Sequence, residues 1–366
     1  MKKLRLKKKN CAIALLIIFF IIFELINPIK IIAINKLTSL GYSRETSKKI
    51  ISLGLKNKVA SNNYSKFIDL NINDNSFNKL NYDTYKDINY NEKIDMSIVN
   101  SLISKEYSSS EIALILQHGN TSDINLFLNQ DKHSDIKEYL NYDYAKLSNL
   151  DRYIEYKSKN GTSYEETVTM VNLNLDKEFY TDYNEITEFS YTMLVNKYNK
   201  LSNNFVPKDL VSFSKEYCHG TCPMDNKTVV DAFEKMAEAL LEEEKLHVYV
   251  NSAYRSYSEQ EELYNRLTKL YGANYDVARA GFSEHQTGLV VDLASGSSEK
   301  FKDSKEEKWL KENAHKYGFI FRYDSSKVKI TGYNEPWHFR YVGDIATDIY
   351  NSKLTFDEYY AKFLDK

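Results

Sequence analysis

The sequence predicts an α+β protein in which a small antiparallel sheet with flanking helices follows an α-helical region and an N-terminal membrane segment. Three observations support this prediction. Beyond about Tyr191, patterns typical of helices alternate with patterns typical of short strands. Residues 36–190 repeat a helix-start signal, and residues 1–35 combine a basic stretch with a long apolar one. We therefore expect three parts, 1–35, 36–190 and 191–366.

The first part predicts a membrane anchor. A cluster of Lys and Arg precedes an unbroken apolar run from Cys11 to Phe23. Since a basic flank stays on the cytoplasmic side, we expect the rest of the chain outside the cell. The run has the length of the apolar part of a signal peptide. A membrane-spanning helix needs about 20 apolar residues, which is more than this run contains. However, no small-x-small cleavage site follows it and apolar residues resume as far as Ile34. We expect an uncleaved, single-pass segment in the cell membrane; cleavage would make the protein secreted.

The second part predicts a helical repeat or spacer region. Three short segments that end in Ser43, Ser108 and Ser163 each precede a run with helical apolar spacing. Ser108 and Ser163 are followed three residues later by Glu, the spacing of a capping box. A stretch rich in Asn, Asp and Tyr near residues 60–95 predicts a polar linker. Three degenerate helical hairpins with a scaffolding role account for this pattern.

The third part predicts the sheet and its helices. An amphipathic pattern covers residues 225–245, and shorter helical and strand patterns follow it. We predict further helices over 258–271 and 306–317, strands over 246–250, 288–293, 319–322 and 337–342, and a closing helix that begins at Thr355.

Charge and cysteine content exclude some classes of protein. The formal net charge is -2, from 49 basic and 51 acidic residues, so no overall field favours nucleic acid as a partner. With 3 Cys, the chain is not a disulfide-rich scaffold. Cys218 and Cys222 flank His219. This spacing is compatible with a local disulfide or with two unrelated thiols, and less so with a metal clip that includes His219.

Two short strings of residues carry the chemistry. His285 and Asp292 flank Gly288, and a second cluster, Glu335-Pro336-Trp337-His338, follows downstream. Residues an odd number of positions apart on one strand point to opposite faces, so His285 and Asp292 can share a ligand only if the chain bends between them. Gly288 provides a position for that bend.

His285, Asp292 and His338 match the three N and O ligands of a catalytic zinc site, which keeps one position open. Zinc lowers the pKa of a coordinated water to about 7 and polarises the carbonyl under attack. Glu335 is then the carboxylate that does not hold the metal, and we predict that it acts as general base and acid. Arg255 follows a predicted strand and is suited to a substrate carboxylate or a developing oxyanion.

Three segments, 254–256, 283–292 and 335–338, resemble those of VanY-type D-alanyl-D-alanine carboxypeptidases, within roughly residues 196–363. This family belongs to a wider group of zinc peptidases that includes lysostaphin-like enzymes and the hedgehog signalling domain. The resemblance implies an antiparallel sheet under the zinc, with the ligands, base and Arg255 contact named above. One departure is Val290, where the family usually has Ala, and we expect only a packing adjustment there.

The resemblance also implies that Gln260 and Ser283 line the substrate site, and we expect Trp337 to contact the substrate as well. The function that follows is a D,D-carboxypeptidase that removes the C-terminal D-Ala from peptidoglycan stem peptides. One alternative is an L,D-carboxypeptidase on tetrapeptide stems. Another is a non-catalytic cell-wall-binding module that keeps zinc for structure, against which Glu335 argues.

Overall fold

The computed structural model describes residues 28–272, 277–297 and 300–365. The chain divides into two compact units. The first comprises the described residues up to Asn141 together with Ala145–Leu150, and the second comprises Tyr142–Tyr144 and the residues from Asp151 onward. The predicted domain limits at residues 35 and 190 stay a prediction.

The first unit is helical. Its core is formed by apolar and aromatic side chains with no exposed surface, among them Ile50, Tyr82, Val99 and Ile115. Its helices are α1 (residues 28–39), α2 (Arg44–Ser52), α3 (Lys56–Ala60), α4 (Lys66–Asn71), α5 (Tyr82–Tyr85), α6 (Met96–Ser104), α7 (Ser109–His118), α8 (Thr121–Phe127) and α9 (Ile136–Leu140).

Helices begin directly after the three predicted start sites. Ser43, Ser108 and Ser163 each accept a hydrogen bond from a backbone N–H of the first turn, which satisfies one of the orphan donors there. In the helix that follows Ser108, Glu111 also bonds back to the cap and completes the predicted capping box. The assignment of these helices to a repeat stays a prediction.

The structure differs from the predicted polar linker near residues 60–95. This stretch contains α4 and α5, and Phe67, Tyr82 and Tyr85 are buried in the core of the unit. The composition misled the prediction because tyrosine buries an apolar ring while its hydroxyl finds a polar partner. Tyr85, for example, donates to the side chain of Asn100.

The expected single-pass membrane location is wrong for the part of the chain that the structure describes. None of the helices found there is both long and apolar enough to cross a membrane. Residues 28–34, which were to complete the anchor, belong to α1, where Ala33 is buried. The basic cluster and the run from Cys11 to Phe23 lie outside the described residues.

The second unit contains the predicted sheet. Two more helices precede two small pairs of strands, and the larger sheet follows. These helices are α10 (Leu150–Asn160), whose first residue is assigned to the first unit, and α11 (Tyr164–Asn172). The remaining elements are β1 (Asn184–Ile186), β2 (Asn199–Leu201), β3 (Leu210–Ser212), β4 (Met224–Asn226), α12 (Lys227–Glu244), β5 (Val248–Ser252), α13 (Tyr257–Tyr271), β6 (Val290–Ser295), α14 (Lys305–Asn313), β7 (Phe319–Tyr323), α15 (Val328–Thr331), β8 (Glu335–Tyr341), α16 (Ala346–Ser352) and α17 (Phe356–Tyr359).

The larger sheet has four strands in the order β5-β6-β8-β7, with all neighbours antiparallel. The apolar face of α12, with Phe233 and Leu240, packs in one cluster with Leu293 and Phe339 of the sheet. Full burial of each such side chain contributes about 1.5–3 kcal/mol. The predicted α+β class is confirmed, and this packing fixes the strands that carry the ligand-type residues.

Between β3 and β4, Cys218 and Cys222 form a disulfide. The ring of His219 lies 4.1 Å from the ring of Tyr249, a packing contact. Of the three alternatives for this pair, the structure therefore contains the local disulfide.

Candidate metal centre and active site

Two ligand-type residues lie on adjacent strands of the four-stranded sheet. Asp292 on β6 and His338 on β8 are directly paired in the antiparallel register. Paired residues on one face have Cβ atoms about 4.5–5.5 Å apart, and here His338 Nδ1 lies 3.0 Å from Asp292 Oδ1. The sequence suggested that the two residues share a site, and the register explains how they do so.

His285 reaches the same point from a turn before β6. Ser283 caps this 3₁₀ turn, Glu284–Thr287, by accepting from His285 N at 3.4 Å. Gly288 ends the turn with φ +65°, a conformation that favours glycine. A Cβ at this position would lie 2.8 Å from Pro207 Cγ. The predicted bend is present, and it leads the chain into β6.

Hydrogen bonds orient both imidazoles toward Asp292. His285 Nδ1 lies 2.6 Å from the carbonyl oxygen of Ala253, and because that oxygen only accepts, Nδ1 carries the proton. His285 Nε2 lies 3.2 Å from Asp292 Oδ2. On the other ring, His338 Nε2 lies 3.1 Å from a carboxylate oxygen of Glu284, so that Nδ1 is the atom turned toward Asp292.

The geometry of this group fits zinc. Its ligand atoms, one from each of His285, Asp292 and His338, all lie within 4.8 Å of one another. Ligands about 2.0–2.1 Å from a tetrahedral ion are about 3.3 Å apart, close to the 3.0 and 3.2 Å observed here. Two imidazole nitrogens and one carboxylate oxygen are also ligands that zinc prefers.

The protonation states of His285 and Asp292 suit a metal centre, whereas that of His338 opposes metal binding. Burial lowers the pKa of His285 and keeps this ring neutral. Burial alone would raise the pKa of Asp292, but the His285 and His338 rings hold it well below its usual range. Burial alone would likewise lower the pKa of His338, yet its hydrogen bonds to Asp292 and Glu284 raise it to about 9. A metal must therefore displace a proton from His338 at neutral pH.

Glu335 lies beside the three ligand-type residues because β8 is irregular. On a regular strand, residues three apart point to opposite faces. Here Phe321 pairs with Phe339 but Tyr323 pairs with Glu335, a register shift that inserts extra residues into β8. Such irregularities re-aim side chains, and Glu335 Oε2 comes to lie 3.6 Å from His338 Nδ1.

Arg255 is anchored by its backbone and by its side chain. Its N–H donates to His285 O at 3.1 Å. Its guanidinium donates to Gln260 Oε1 at 2.6 Å and to Ser252 Oγ at 2.9 Å. Burial lowers the pKa of Arg255, and the carboxylates of Asp292 and Glu335 oppose that shift. A partly desolvated, pre-oriented cation of this kind is suited to bind a carboxylate.

All the sequence-predicted site residues line one cavity of about 200 Å³. Gln260 is buried. Its amide nitrogen donates to Ala278 O at 2.7 Å, and its amide oxygen accepts from Arg255, so Gln260 fixes the position of the guanidinium. Trp337 is 40% exposed at the rim. The cavity is lined by Arg255, Gln260, Leu263, Leu267, Val277, Ala278, Phe282, Ser283, Glu284, His285, Asp292, Tyr323, Tyr333, Glu335, Trp337 and His338.

Sequence reasoning missed Glu284 and the aromatic wall residues Tyr323 and Tyr333. Glu284 lies between two residues that were singled out, but an acidic residue next to a histidine is common and its buried partners are distant in sequence. The ring of Tyr323 lies 4.8 Å from that of His338. With 30 Tyr in the chain, composition could not distinguish these two tyrosines.

The chain is similar to carboxypeptidases that act on D-Ala-D-Ala, by a family model and by individual relatives. A family model described as "VanY: D-alanyl-D-alanine carboxypeptidase" matches residues 224–344. The Bacillus subtilis protein YodJ is 39% identical over 182 residues, which are 46% of this chain and 66% of YodJ. The bifunctional D-Ala-D-Ala dipeptidase and carboxypeptidase VanXYC of Enterococcus gallinarum is 33% identical over 181 residues, 46% of this chain and 92% of that protein.

Among solved structures, the LD-carboxypeptidase LdcB has a TM-score of 0.45 and 36% identity, covering 49% of this chain and 90% of that one. The chain spans just under two thirds of the length of YodJ. The matched family segment contains the three ligand-type residues His285, Asp292 and His338, together with Glu335 and Arg255.

Proposed function

The chain belongs to the VanY family of D-alanyl-D-alanine carboxypeptidases, and we propose that it is a zinc-dependent enzyme that removes the C-terminal D-Ala from peptidoglycan stem peptides. One observation carries this proposal. His285, Asp292 and His338 converge within 4.8 Å, and Glu335 adjoins them in the same cavity.

Zinc would be held by His285 Nε2, a carboxylate oxygen of Asp292 and His338 Nδ1. When bound, the ion supplies a water of lowered pKa and an electrophile for the scissile carbonyl. Asp292 is ionised and His285 is neutral in this environment, so each offers a lone pair. The cavity described above is lined by all three of these residues.

Glu335 moves the protons of the reaction. Its carboxylate takes a proton from the attacking water and delivers one to the amine nitrogen of the departing D-Ala, the two transfers that peptide hydrolysis requires. Its side chain is 29% exposed, so water and substrate can reach it. Glu335 Oε2 lies 3.6 Å from His338 Nδ1, and Glu335 is outside the group of three residues whose ligand atoms converge.

Arg255 supports specificity for a chain terminus. The substrate ends in a carboxylate, and Arg255 presents donors to the cavity while Gln260 and Ser252 fix its guanidinium. A peptide that continues beyond this point would not place a terminal carboxylate at the guanidinium. Trp337 and Phe282 offer apolar contact for the methyl groups of D-Ala. Ser283 faces the cavity but also caps the turn of His285, so we assign it a positioning role as well.

The substrate assignment is tested with two stem peptides. Purified full-length chain loaded with zinc is incubated with a pentapeptide that ends in D-Ala-D-Ala and with the tetrapeptide that ends in a single D-Ala, and products are identified by mass spectrometry. We expect release of one D-Ala from the pentapeptide and a much slower reaction with the tetrapeptide. Cleavage of the tetrapeptide alone would identify an L,D-carboxypeptidase. Hydrolysis of neither, with zinc bound, would support the non-catalytic wall-binding alternative.

A further inference from the structure

A buried chain of charged groups connects His338 to the C-terminal helix. Glu284 accepts from His338 on one carboxylate oxygen and from Arg322 Nε on the other, at 3.1 and 2.9 Å. Arg322 Nη1 donates in turn to Asp357 Oδ2 at 2.6 Å. The side chains of Glu284 and Arg322 have no exposed surface, and that of Asp357 is 2% exposed.

The charges of this buried cluster balance one another, so the position of each charged side chain depends on its neighbour. Glu284 also lies 3.5 Å from the guanidinium of Arg340, so two guanidinium groups face two carboxylates in the buried cluster. A buried charge without a partner is strongly unfavourable. If Asp357 lost its charge, Arg322 would have Glu284 as its remaining carboxylate contact in the cluster. We expect Arg322 then to draw the carboxylate of Glu284 away from His338.

Asp357 is itself held in place. Its Oδ1 accepts from Asn196 Nδ2 at 3.1 Å. It is the second residue of α17, whose start is fixed by a capping box between Thr355 and Glu358. The α17 helix lies beyond residues 224–344, the segment matched by the family model. A helix outside that segment thus contacts the metal centre through two intermediate residues.

We propose that Asp357, acting through Arg322 and Glu284, is a positioning residue that orients the His338 ring so that Nδ1 faces the metal. This inference rests on the proposed function, because it assumes a metal at His285, Asp292 and His338. Outer partners of metal-binding histidines fix the ring's tautomer and typically contribute 10–100-fold to metal affinity. Here the outer partner is a carboxylate that two buried ion pairs hold in place.

The test measures zinc affinity, independently of hydrolysis. Metal-free full-length parent, Asp357→Asn and Glu358→Gln are titrated with zinc in competition with a fluorescent chelator, and folding is checked by thermal unfolding. Glu358→Gln is the matched control, because Glu358 caps the same helix and pairs with Lys327 but is not part of the Arg322 contact. We expect the zinc Kd of Asp357→Asn to rise about 10-fold and that of Glu358→Gln to change less than twofold.

The possible outcomes separate the two hypotheses. A parent that binds no zinc would refute the proposed function itself. A parent and Asp357→Asn with equal zinc affinity would refute only the positioning role, as would equal weakening in both variants, since helix stability would then explain the effect.

A second route remains if Asp357→Asn does not fold. Arg322→Lys keeps the charge but loses the planar fork that bridges Glu284 and Asp357, and a folded Arg322→Lys with parental zinc affinity would overturn the proposal. In the zinc-loaded parent, ring-¹⁵N spectra should show the His338 proton on Nε2. Metal on Nε2 would contradict the proposal without any variant.

Discussion

Replacing Glu335 by Gln should lower kcat/KM on a peptide that ends in D-Ala-D-Ala by about 10²–10⁴-fold, the contribution expected of a positioned general base and acid. The amide has nearly the same shape as the carboxylate but cannot accept a proton from the attacking water. Since Glu335 lies beside His338 and outside the predicted ligand set, zinc binding should persist. Steady-state kinetics together with zinc content would measure both effects.

The matched control for this variant is Glu261→Gln, on the exposed side of α13 and absent from the cavity lining. It should retain parental kinetics. A Glu335→Gln enzyme with parental kcat would show that another group moves the protons, whereas loss of zinc together with activity would make Glu335 a ligand.

Replacing His338 by Gln should abolish both zinc binding and hydrolysis. The loss of a direct ligand should weaken zinc binding by more than the roughly 10–100-fold associated with outer partners of such histidines. Gln can still donate a hydrogen bond to Glu284, which limits the cost of leaving that buried carboxylate without His338. Zinc affinity by chelator competition and hydrolysis by product analysis are the two measurements.

His315→Gln provides the comparison. The His315 ring stacks on Tyr350 at 4.0 Å and does not line the catalytic cavity, so this variant should bind zinc and hydrolyse substrate like the parent. If His338→Gln retained stoichiometric zinc and activity, the proposed ligand set would be wrong.

The candidate metal centre could be proposed from sequence because its residues are clustered along the chain. His285, Gly288 and Asp292 occur in one short string, and Glu335 and His338 in another. Their relation depends on two facts that the sequence does not contain. One is the pairing of Asp292 with His338, and the other is the irregular register of β8 that places Glu335 beside His338.

The buried cluster of Glu284, Arg322 and Asp357 could not be anticipated in this way. Glu284, Arg322 and Asp357 are far apart in the sequence. Each is a charged residue of a type that usually lies on the surface. Their burial and their mutual hydrogen bonds become visible only in the folded structure. The error at residues 60–95 has a related cause, since a Tyr- and Asn-rich stretch can be buried once its hydroxyl and amide groups find partners.

We propose that zinc at His285, Asp292 and His338 enables hydrolysis of a terminal D-Ala-D-Ala bond. Metal removal and return on the unmodified chain tests this most directly. Protein stripped by a chelator and then dialysed is given the pentapeptide while zinc is added in steps, and released D-Ala is measured. We expect no release without metal and a rate that rises with zinc until one ion is bound per chain. Undiminished release from the metal-free protein, or none after one zinc is bound, would contradict the claim.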